Sequence, residues 1–505
     1  MKSQGKVWLV GAGPGDPGLL TLKGRAVLNR AEVVVYDRLA GDGVLAMIPA
    51  GAVRIDAGKS AGNHPLPQEE INRLLIRYAA EGKRVVRLKG GDPFLFGRGG
   101  EEAEALCGAG IPYEVVPGVT AASAVSAYFG IPATHRREAS SLHLITAHRK
   151  KGGEKPVDYK ALASLGPEAT LVFFMGTGVL EELCTGLIGA GMPPDTPAAL
   201  LMKGTSSRQR KVVAELDSLP RLADQCGLET PGLVVVGSAC RLSETLSWVE
   251  KRPLHGARVF VTRPRDKGSV LSERLSELGA EVVEIPALRT EILEPSDDSF
   301  WSLERLQTYN WIVFSSPVGA EAFFQFLRRE RIDIRALSGP RFATVGEKTR
   351  NTLEDKGVIV ECCPEEFNGQ ALAKVLLPRL SREDRVLALT PQNRESAVVS
   401  ALRAKGVLCD TVAVYRTVLE EGGFFPQLWP GDYAAFASAS AVEGFAEMAG
   451  GQPLSGLKAV CIGKQTAAAA KRFGMAAVIS ETETVNSMID RLVECHLKER
   501  AGQLW

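Results

Sequence analysis

The chain is 505 residues long, carries 60 Lys plus Arg against 59 Asp plus Glu, and is 45% hydrophobic, an ordinary globular composition on a length beyond one hydrophobic core. Charges that nearly cancel exclude a global field for gathering nucleic acid or acidic lipid, so a polyanionic ligand would be held by local basic clusters. Nine cysteines without a CxxC pair and six scattered histidines argue against a disulfide framework or a zinc ribbon, and reduced thiols with no metal are expected.

In chain order, Met1 to Lys6 leads into an apolar run that stops at Gly11, too brief for a signal-peptide core or a membrane span, which gives the expectation of a cytoplasmic protein. Short β-branched runs then alternate with helix-period segments, the pattern of α/β domains with mainly parallel sheets. Val7-Trp8-Leu9-Val10, Val33-Val34-Val35-Tyr36, Val85-Val86-Arg87-Leu88 and Leu171-Val172-Phe173-Phe174 are expected to be buried strands. Each runs into a loop rich in Gly, Asp or Pro, and in such sheets the carboxyl ends of strands collect ligands.

The first of these loops, Gly11-Ala12-Gly13-Pro14-Gly15-Asp16-Pro17-Gly18, approaches the dinucleotide fingerprint. Its spacing puts Pro14-Gly15-Asp16 where that motif needs free N–H groups, so a phosphate cradle is not expected, and a tight structural turn fits equally well. Later strand ends carry Tyr36-Asp37-Arg38-Leu39, a dense glycine run from Lys89 through Gly90-Gly91-Asp92-Pro93-Phe94-Leu95-Phe96-Gly97-Arg98 to Glu102, and Pro117-Gly118-Val119-Thr120-Ala121. Glycines packed this closely let a ligand lie against bare backbone.

A polar stretch, Glu250-Lys251-Arg252-Pro253-Leu254-His255-Gly256, marks the expected boundary between domains at 1–250 and 256–500. The second half repeats itself. Phe314-Ser315-Ser316-Pro317 parallels Phe436-Ala437-Ser438-Ala439, and Val345-Gly346-Glu347-Lys348-Thr349 parallels Ile462-Gly463-Lys464-Gln465-Thr466. Two similar α/β lobes are implied, one about 256–291 plus 419–500 and the other about 292–416, each offering hydroxyls and N–H groups at helix starts.

Over roughly Val7 to Ser238 the order of these motifs, together with Gln68-Glu69-Glu70-Ile71-Asn72, Gly130-Ile131-Pro132-Ala133-Thr134-His135-Arg136 and Met175-Gly176, resembles the tetrapyrrole methylases, and among them the uroporphyrinogen-III C-methyltransferases. The resemblance implies a two-subdomain α/β fold and S-adenosyl-L-methionine as methyl donor, held by Pro14, Gly90, Gly91, Asp92, Leu95, Thr120, Ala121, Met175 and Gly204. It also implies Asp37 as catalytic base and Lys59 as acid. For Asp37 a helix N-cap or turn residue is the competing role and for Lys59 a solvated charge, and the family often has a second basic residue where this chain has Ser60. The many carboxylates of the substrate would be met by Arg38, Arg98, His135, Arg136 and Arg149. Similar methyltransferases form homodimers; a small tetrapyrrole is the expected partner, with no nucleic acid and no membrane.

Over roughly Gly256 to Val493, Val261-Thr262-Arg263-Pro264, the paired Ser-rich helix starts and Ala413-Val414-Tyr415-Arg416-Thr417 resemble uroporphyrinogen-III synthase, which implies a bilobal α/β fold without a cofactor. On that resemblance Tyr415 is the hydroxyl donor, Ser315, Ser316, Thr349, Ser438, Ser440 and Thr466 bind carboxylates, and Arg263 adds charge, with plain helix capping as the competing role of the serines and threonines and packing between the lobes as that of Tyr415. The two resemblances name consecutive reactions: cyclisation of hydroxymethylbilane, then double methylation to precorrin-2 for sirohaem or cobalamin. The alternative is a later-step precorrin methylase fused to a tetrapyrrole-binding regulatory module.

Overall fold

The computed structural model describes residues 5–58, 66–147, 157–262, 270–293, 303–366, 368–392, 396–420 and 422–502. The first five strands, β1 (Lys6–Gly11), β2 (Val33–Tyr36), β3 (Val53–Asp56), β4 (Arg84–Lys89) and β5 (Tyr113–Val116), form one sheet in the order β3-β2-β4-β1-β5. Every pair in it is parallel. Near-continuous apolar runs suit this arrangement because both faces are covered. Val10, Val34, Val86 and Leu88 pack on one side; Val7, Leu9, Val33, Val35 and Val85 alternate onto the other. That second side is closed by the helix Gln68–Ala80, which buries Ile71, Leu75 and Ala79 at four-residue spacing, and by the helix Gly99–Gly108.

The next five strands are β6 (Ser141–Thr146), β7 (Ala169–Phe174), β8 (Pro197–Met202), β9 (Arg210–Glu215) and β10 (Gly232–Val236), ordered β6-β7-β10-β8-β9. Only β6 and β7 run parallel; the other pairs are antiparallel. The helix Ala121–Tyr128 follows β5 of the first sheet, yet its Ala122 and Val125 pack with Val172, Ala199 and Leu201 of the second. It thereby joins the tips of the first sheet to the core of the second.

The remaining strands are β11 (Arg258–Thr262), β12 (Glu281–Ile285), β13 (Leu288–Ile292), β14 (Trp311–Phe314), β15 (Arg341–Thr344), β16 (Arg385–Pro391), β17 (Leu408–Leu419), β18 (Tyr433–Phe436), β19 (Lys458–Cys461) and β20 (Ala476–Ile479). They make two sheets, β12-β11-β18-β19-β20 and β13-β17-β16-β14-β15. The repeat read from the sequence is a β-α-β-α unit present in each. Strands β14 and β15 pair in parallel, as do β18 and β19, and Ser316 and Ser438 each cap the helix that follows the first strand of the pair.

The chain divides into two compact units, Met1–Ala287 with Glu420–Trp505, and Leu288–Leu419. The boundary between these units falls at 287/288. Strand β13 pairs antiparallel with β17 from Leu288↔Leu419 to Ile292↔Tyr415, and its ladder hydrogen bonds assign it to the second unit. The polar stretch 250–256 lies within the first unit, which holds the first three sheets together.

Among the described residues no helix is long and apolar enough to cross a membrane. All nine cysteines are free, and burial pushes the Cys184, Cys240 and Cys461 thiols up to about 12. A Cβ on Gly118, at the tip of β5, would lie 2.2 Å from the Gly91 carbonyl oxygen and 2.7 Å from Gly11 Cα. Backbone stands on both sides, so nothing can yield. Gly118→Ala is expected to destabilise the first unit by about 1–3 kcal/mol, whereas Gly189→Ala, with nothing within 4 Å at a helix end, is expected to be neutral or to stabilise by up to about 1 kcal/mol. Denaturant unfolding of the two variants checks this, and equal midpoints would refute it.

Candidate active site

The strand tips of the first sheet are bound to one another through main chain. Gly13 N donates to Gly91 O (3.2 Å), Gly91 N donates to Gly13 O (2.7 Å), and Ala12 N donates to Lys89 O (2.7 Å), which ties the loop after β1 to the loop after β4. The Asp92 carboxylate accepts from Phe94 N (2.8 Å) and Gly118 N (3.0 Å), stapling the β4 loop to the β5 tip. Asp92 thus spends its charged end on the scaffold. Asp16 is used in the same way, accepting from Gly18 N and from the Tyr128 hydroxyl.

Pro14, Gly90, Gly91, Asp92 and Leu95 line these loops, all partly exposed. Thr120 accepts from Ala122 N (3.4 Å) at the start of the helix that begins with Ala121. From the second sheet come Met175, half exposed just after β7, and Gly204, whose Cα faces Val125 of that same helix. Phe96 of the β4 loop meets Phe174 at the end of β7, ring centroids 5.0 Å apart. The loops that carry these residues thus meet across the two sheets through the Phe96–Phe174 contact and the packing of Gly204 on Val125.

Strain is concentrated here as well. Of the six non-glycine residues with positive φ among the described residues, five are in these loops: Phe96, Arg98, Met175, Lys203 and Thr205. Such conformations cluster where function requires them, and nothing in composition or spacing foretold them.

Asp37 follows β2 at the head of the short helical turn Arg38–Ala40 but makes no capping hydrogen bond with its side chain. Its Oδ1 accepts instead from Arg87 Nη2 at 2.6 Å. Arg87 and Lys89 alternate onto the face of β4 that the helices Gln68–Ala80 and Gly99–Gly108 cover, and both are buried. Their counter-charge is Glu102, also fully buried. Glu102 Oε1 accepts from Arg87 Nε (2.9 Å), Lys89 Nζ (3.0 Å) and Gln68 Nε2 (3.1 Å), while its Oε2 has no hydrogen-bond partner among the described residues. Burial draws the Arg87 guanidinium down, but Asp37 and Glu102 together outweigh it and hold it above its usual value. Burial and then neighbouring Arg87 pull the Lys89 ammonium below its usual value, with Glu102 opposing. Arg87, Lys89 and Glu102 were missed in the sequence, although two cations two residues apart inside an apolar strand were the available signal.

Among the cations expected at the substrate, Arg38 pairs with Asp56 (Nε to Oδ2, 2.7 Å) and Arg98 with Glu101 (3.0 Å), both mostly exposed. His135 and Arg136 lie in a turn closed by the His135–Ala139 bridge before β6; His135 Nδ1 accepts from Arg137 N (3.3 Å). Lys59, Arg149 and Arg263 lie outside the described residues.

In the second unit, Ser315 Oγ donates to Leu389 O (3.0 Å) and Ser316 Oγ accepts from Gly319 N (3.1 Å). Tyr415 is half buried on β17 against the core around Phe314 and Phe323. In the first unit, Ser438 Oγ accepts from Ala441 N (3.2 Å) and lies 3.1 Å from Ser440 Oγ. Ser316 and Ser438 are thus caps, the role left open as an alternative. Thr349 and Thr466 are each 4% exposed, so what their helix starts present is main-chain N–H after Gly346 and Gly463, neither of which caps with a side chain. Among the described residues no group of three or more His, Cys, Asp or Glu is placed to hold a metal ion.

Residues 6–220 match the family model of the tetrapyrrole (corrin/porphyrin) methylases, and residues 269–490 match that of uroporphyrinogen-III synthase HemD. The porphyrin biosynthesis protein HemD of Ruminiclostridium josui is 43% identical over 495 residues, 97% of this chain and 98% of its own. A siroheme synthase of Cronobacter sakazakii is 52% identical over 252 residues, 50% of this chain and 54% of its own, so the chain spans about half the length of that relative. The solved uroporphyrin-III C-methyl transferase of Thermus thermophilus, complexed with S-adenyl homocysteine, is 40% identical, with 47% of this chain and 99% of that one covered at a TM-score of 0.41. Both halves of the molecule thus fall in enzyme families, and from its match to the Ruminiclostridium josui protein along nearly its whole length, the chain belongs to the HemD porphyrin-biosynthesis proteins in which a tetrapyrrole methylase precedes a uroporphyrinogen-III synthase.

Proposed function

We propose that the second half cyclises hydroxymethylbilane to uroporphyrinogen III with inversion of the last pyrrole ring, and that the first half then methylates that macrocycle twice to precorrin-2, for sirohaem or cobalamin. The observation that carries this reading is the juxtaposition of a fixed carboxylate with a glycine-lined floor. Asp37 stands at the tip of β2, β4 is its neighbour in the sheet, and β1 lies next to β4, so the base and the Gly13–Gly91 bridge occupy neighbouring strand ends.

S-adenosylmethionine would supply a methyl group activated on a sulfonium. The residues present fit it: a Cβ on Gly91 would meet nothing nearer than Ala121 N at 3.9 Å, which leaves that main chain open, and Pro14, Leu95 and Met175 add apolar surface. In-line displacement at that methyl makes its greatest demand on positioning, because the donor's charge disappears as the bond forms. Staples made by Asp16 and Asp92 provide the positioning. Asp37 takes the proton that leaves the methylated ring. Arg87 fixes one of its oxygens, and the other, Oδ2, accepts no hydrogen bond among the described residues. Arg38 and Arg98 exchange their exposed partners for substrate carboxylates at little cost, because exposed ion pairs contribute little.

The cyclase reaction loses water and passes through a delocalised cation, so geometry dominates over nucleophilic power. Tyr415 supplies the hydroxyl proton to the departing group, and the helix starts at Gly346 and Gly463 bind carboxylates with main-chain N–H.

Turnover of hydroxymethylbilane and S-adenosylmethionine by the whole chain tests the proposal; the expected product is dimethylated, and uroporphyrinogen III accumulates when the donor is withheld. Asp37→Ala is expected to cut methylation by about 10²–10⁴ while S-adenosylhomocysteine binding, read by calorimetry, persists. Tyr415→Phe is expected to slow cyclisation and spare methylation of supplied uroporphyrinogen III. A well-folded chain that takes up no S-adenosylhomocysteine would sink the reading. Glu102→Ala leaves Arg87 and Lys89 buried beside too little negative charge and is expected to cost about 3–5 kcal/mol of stability, with Glu102→Gln less severe; thermal unfolding distinguishes the two.

A further inference from the structure

Two loops of the methylase half are held by charged side chains of the synthase half, all within the first compact unit. Arg258 begins β11, Glu281 begins β12, and the two are direct register partners. Arg258 is buried. Its Nε and Nη2 donate to Asp432 (3.1 and 2.5 Å) and Nη2 also to Gln427 O (2.7 Å), all within its own lobe. The remaining Nη1 donates to Asp42 Oδ2 at 2.8 Å, and Asp42 closes the loop that starts with Asp37. Glu281 Oε2 accepts from both the N (2.7 Å) and the Oγ (2.6 Å) of Ser207. Ser207 belongs to the turn that contains Gly204.

Main chain adds a third contact. A Cβ on Gly43 would come 2.4 Å from Pro17 Cγ and 3.3 Å from Val282 O, so β12 presses through Gly43 onto the end of the first glycine-rich loop. The turn at 203–207 needs such a hold, because Lys203 and Thr205 sit at φ of 47° and 68°, a region disfavoured for residues with a side chain. On the methylase side Lys203 N donates to Pro231 O (2.8 Å), Thr205 N donates to Gln209 Oε1 (3.1 Å) and Gly204 packs on Val125; on the synthase side the packing is open. A cavity of about 680 Å³, lined in part by Asp16, Ser207, Gln209 and Glu281, lies between the halves at this level, which leaves the polar clamps to set where the loops stand relative to the synthase lobe.

Resting on the reading that these loops bind S-adenosylmethionine, we infer that the synthase half is a positioning frame for the methyl-donor site, with Arg258 and Glu281 acting through Asp42 and Ser207. The pairing of the two clamps across one strand register means that lobe and loops shift together or not at all. Neither clamp touches a reacting atom; each sets the distance between the 203–207 turn, the first glycine-rich loop and the Asp37 loop.

The test is calorimetric titration of the full chain with S-adenosylhomocysteine. Glu281→Ala is expected to raise the dissociation constant about tenfold, since misplacement of binding groups by about an ångström has effects of this order or larger, with the rate of uroporphyrinogen III formation within about twofold of the unmodified chain. Glu281→Gln, which keeps an acceptor for Ser207, is expected to recover most of the affinity, an outcome that general destabilisation would not produce. Asp42→Ala and Ser207→Ala read the same clamps from the methylase side should the Glu281 variant fail to fold. Affinity within about twofold of the unmodified protein in folded Glu281→Ala, or in Ser207→Ala in its place, overturns the inference while leaving the donor site intact. An unmodified chain that takes up no ligand overturns the donor-site reading itself and this inference with it.

Discussion

Two cations enclosed in the middle strand of the first sheet share a single carboxylate, and much of the methylase half is arranged around that fact. Arg87 and Lys89 project from β4 into the layer beneath the helices Gln68–Ala80 and Gly99–Gly108, and Glu102 of the second helix answers both. A buried ion cluster contributes little net stability once desolvation is counted, yet losing one member leaves an uncompensated charge. Its value here lies in orientation. The guanidinium that satisfies Glu102 on one side holds Asp37 on the other, so the carboxylate at the strand tip is anchored from within the core.

The rest of the candidate site is mostly main chain. Reciprocal hydrogen bonds between Gly13 and Gly91, and the Asp92 staple onto Gly118 and Phe94, produce a floor whose shape depends on covalent geometry and hydrogen bonding rather than on rotamers. Such a surface is pre-organised: little conformational freedom remains to be lost on binding. The synthase half uses a related economy twice, in the parallel strand–helix units that start at β14 and β18 and carry the same Ser cap.

The grouping of the molecule does not follow the order of its catalytic families along the chain. One lobe of the synthase shares a compact unit with the methylase, and the chain leaves that unit after Ala287 and returns at Glu420. Arg258 lies 216 residues from the Asp42 it contacts, so fusion of the two enzymes is expressed in structure as well as in covalent continuity.

What was legible in the amino-acid sequence was local. The expected strands at Val7, Val33, Val85 and Leu171 lie within β1, β2, β4 and β7, because β-branched runs bounded by glycine carry their own conformational preference. The serine caps could be read for the same reason, a hydroxyl bonding to an N–H three residues on. The sheet to which Leu288–Ile292 belongs was not legible, since its alternating pattern suits an edge strand of either sheet and only its ladder with β17 decides. Burial of Thr349 and Thr466 and the Arg87–Glu102 and Arg258–Asp42 contacts join residues by packing, not by spacing. By itself the sequence determined which segments form strands, where their glycine-rich ends fall and which chemistry those ends resemble; the tertiary structure alone decided which charges meet, because the low dielectric that makes those pairs matter exists only once the helices have closed over the sheet.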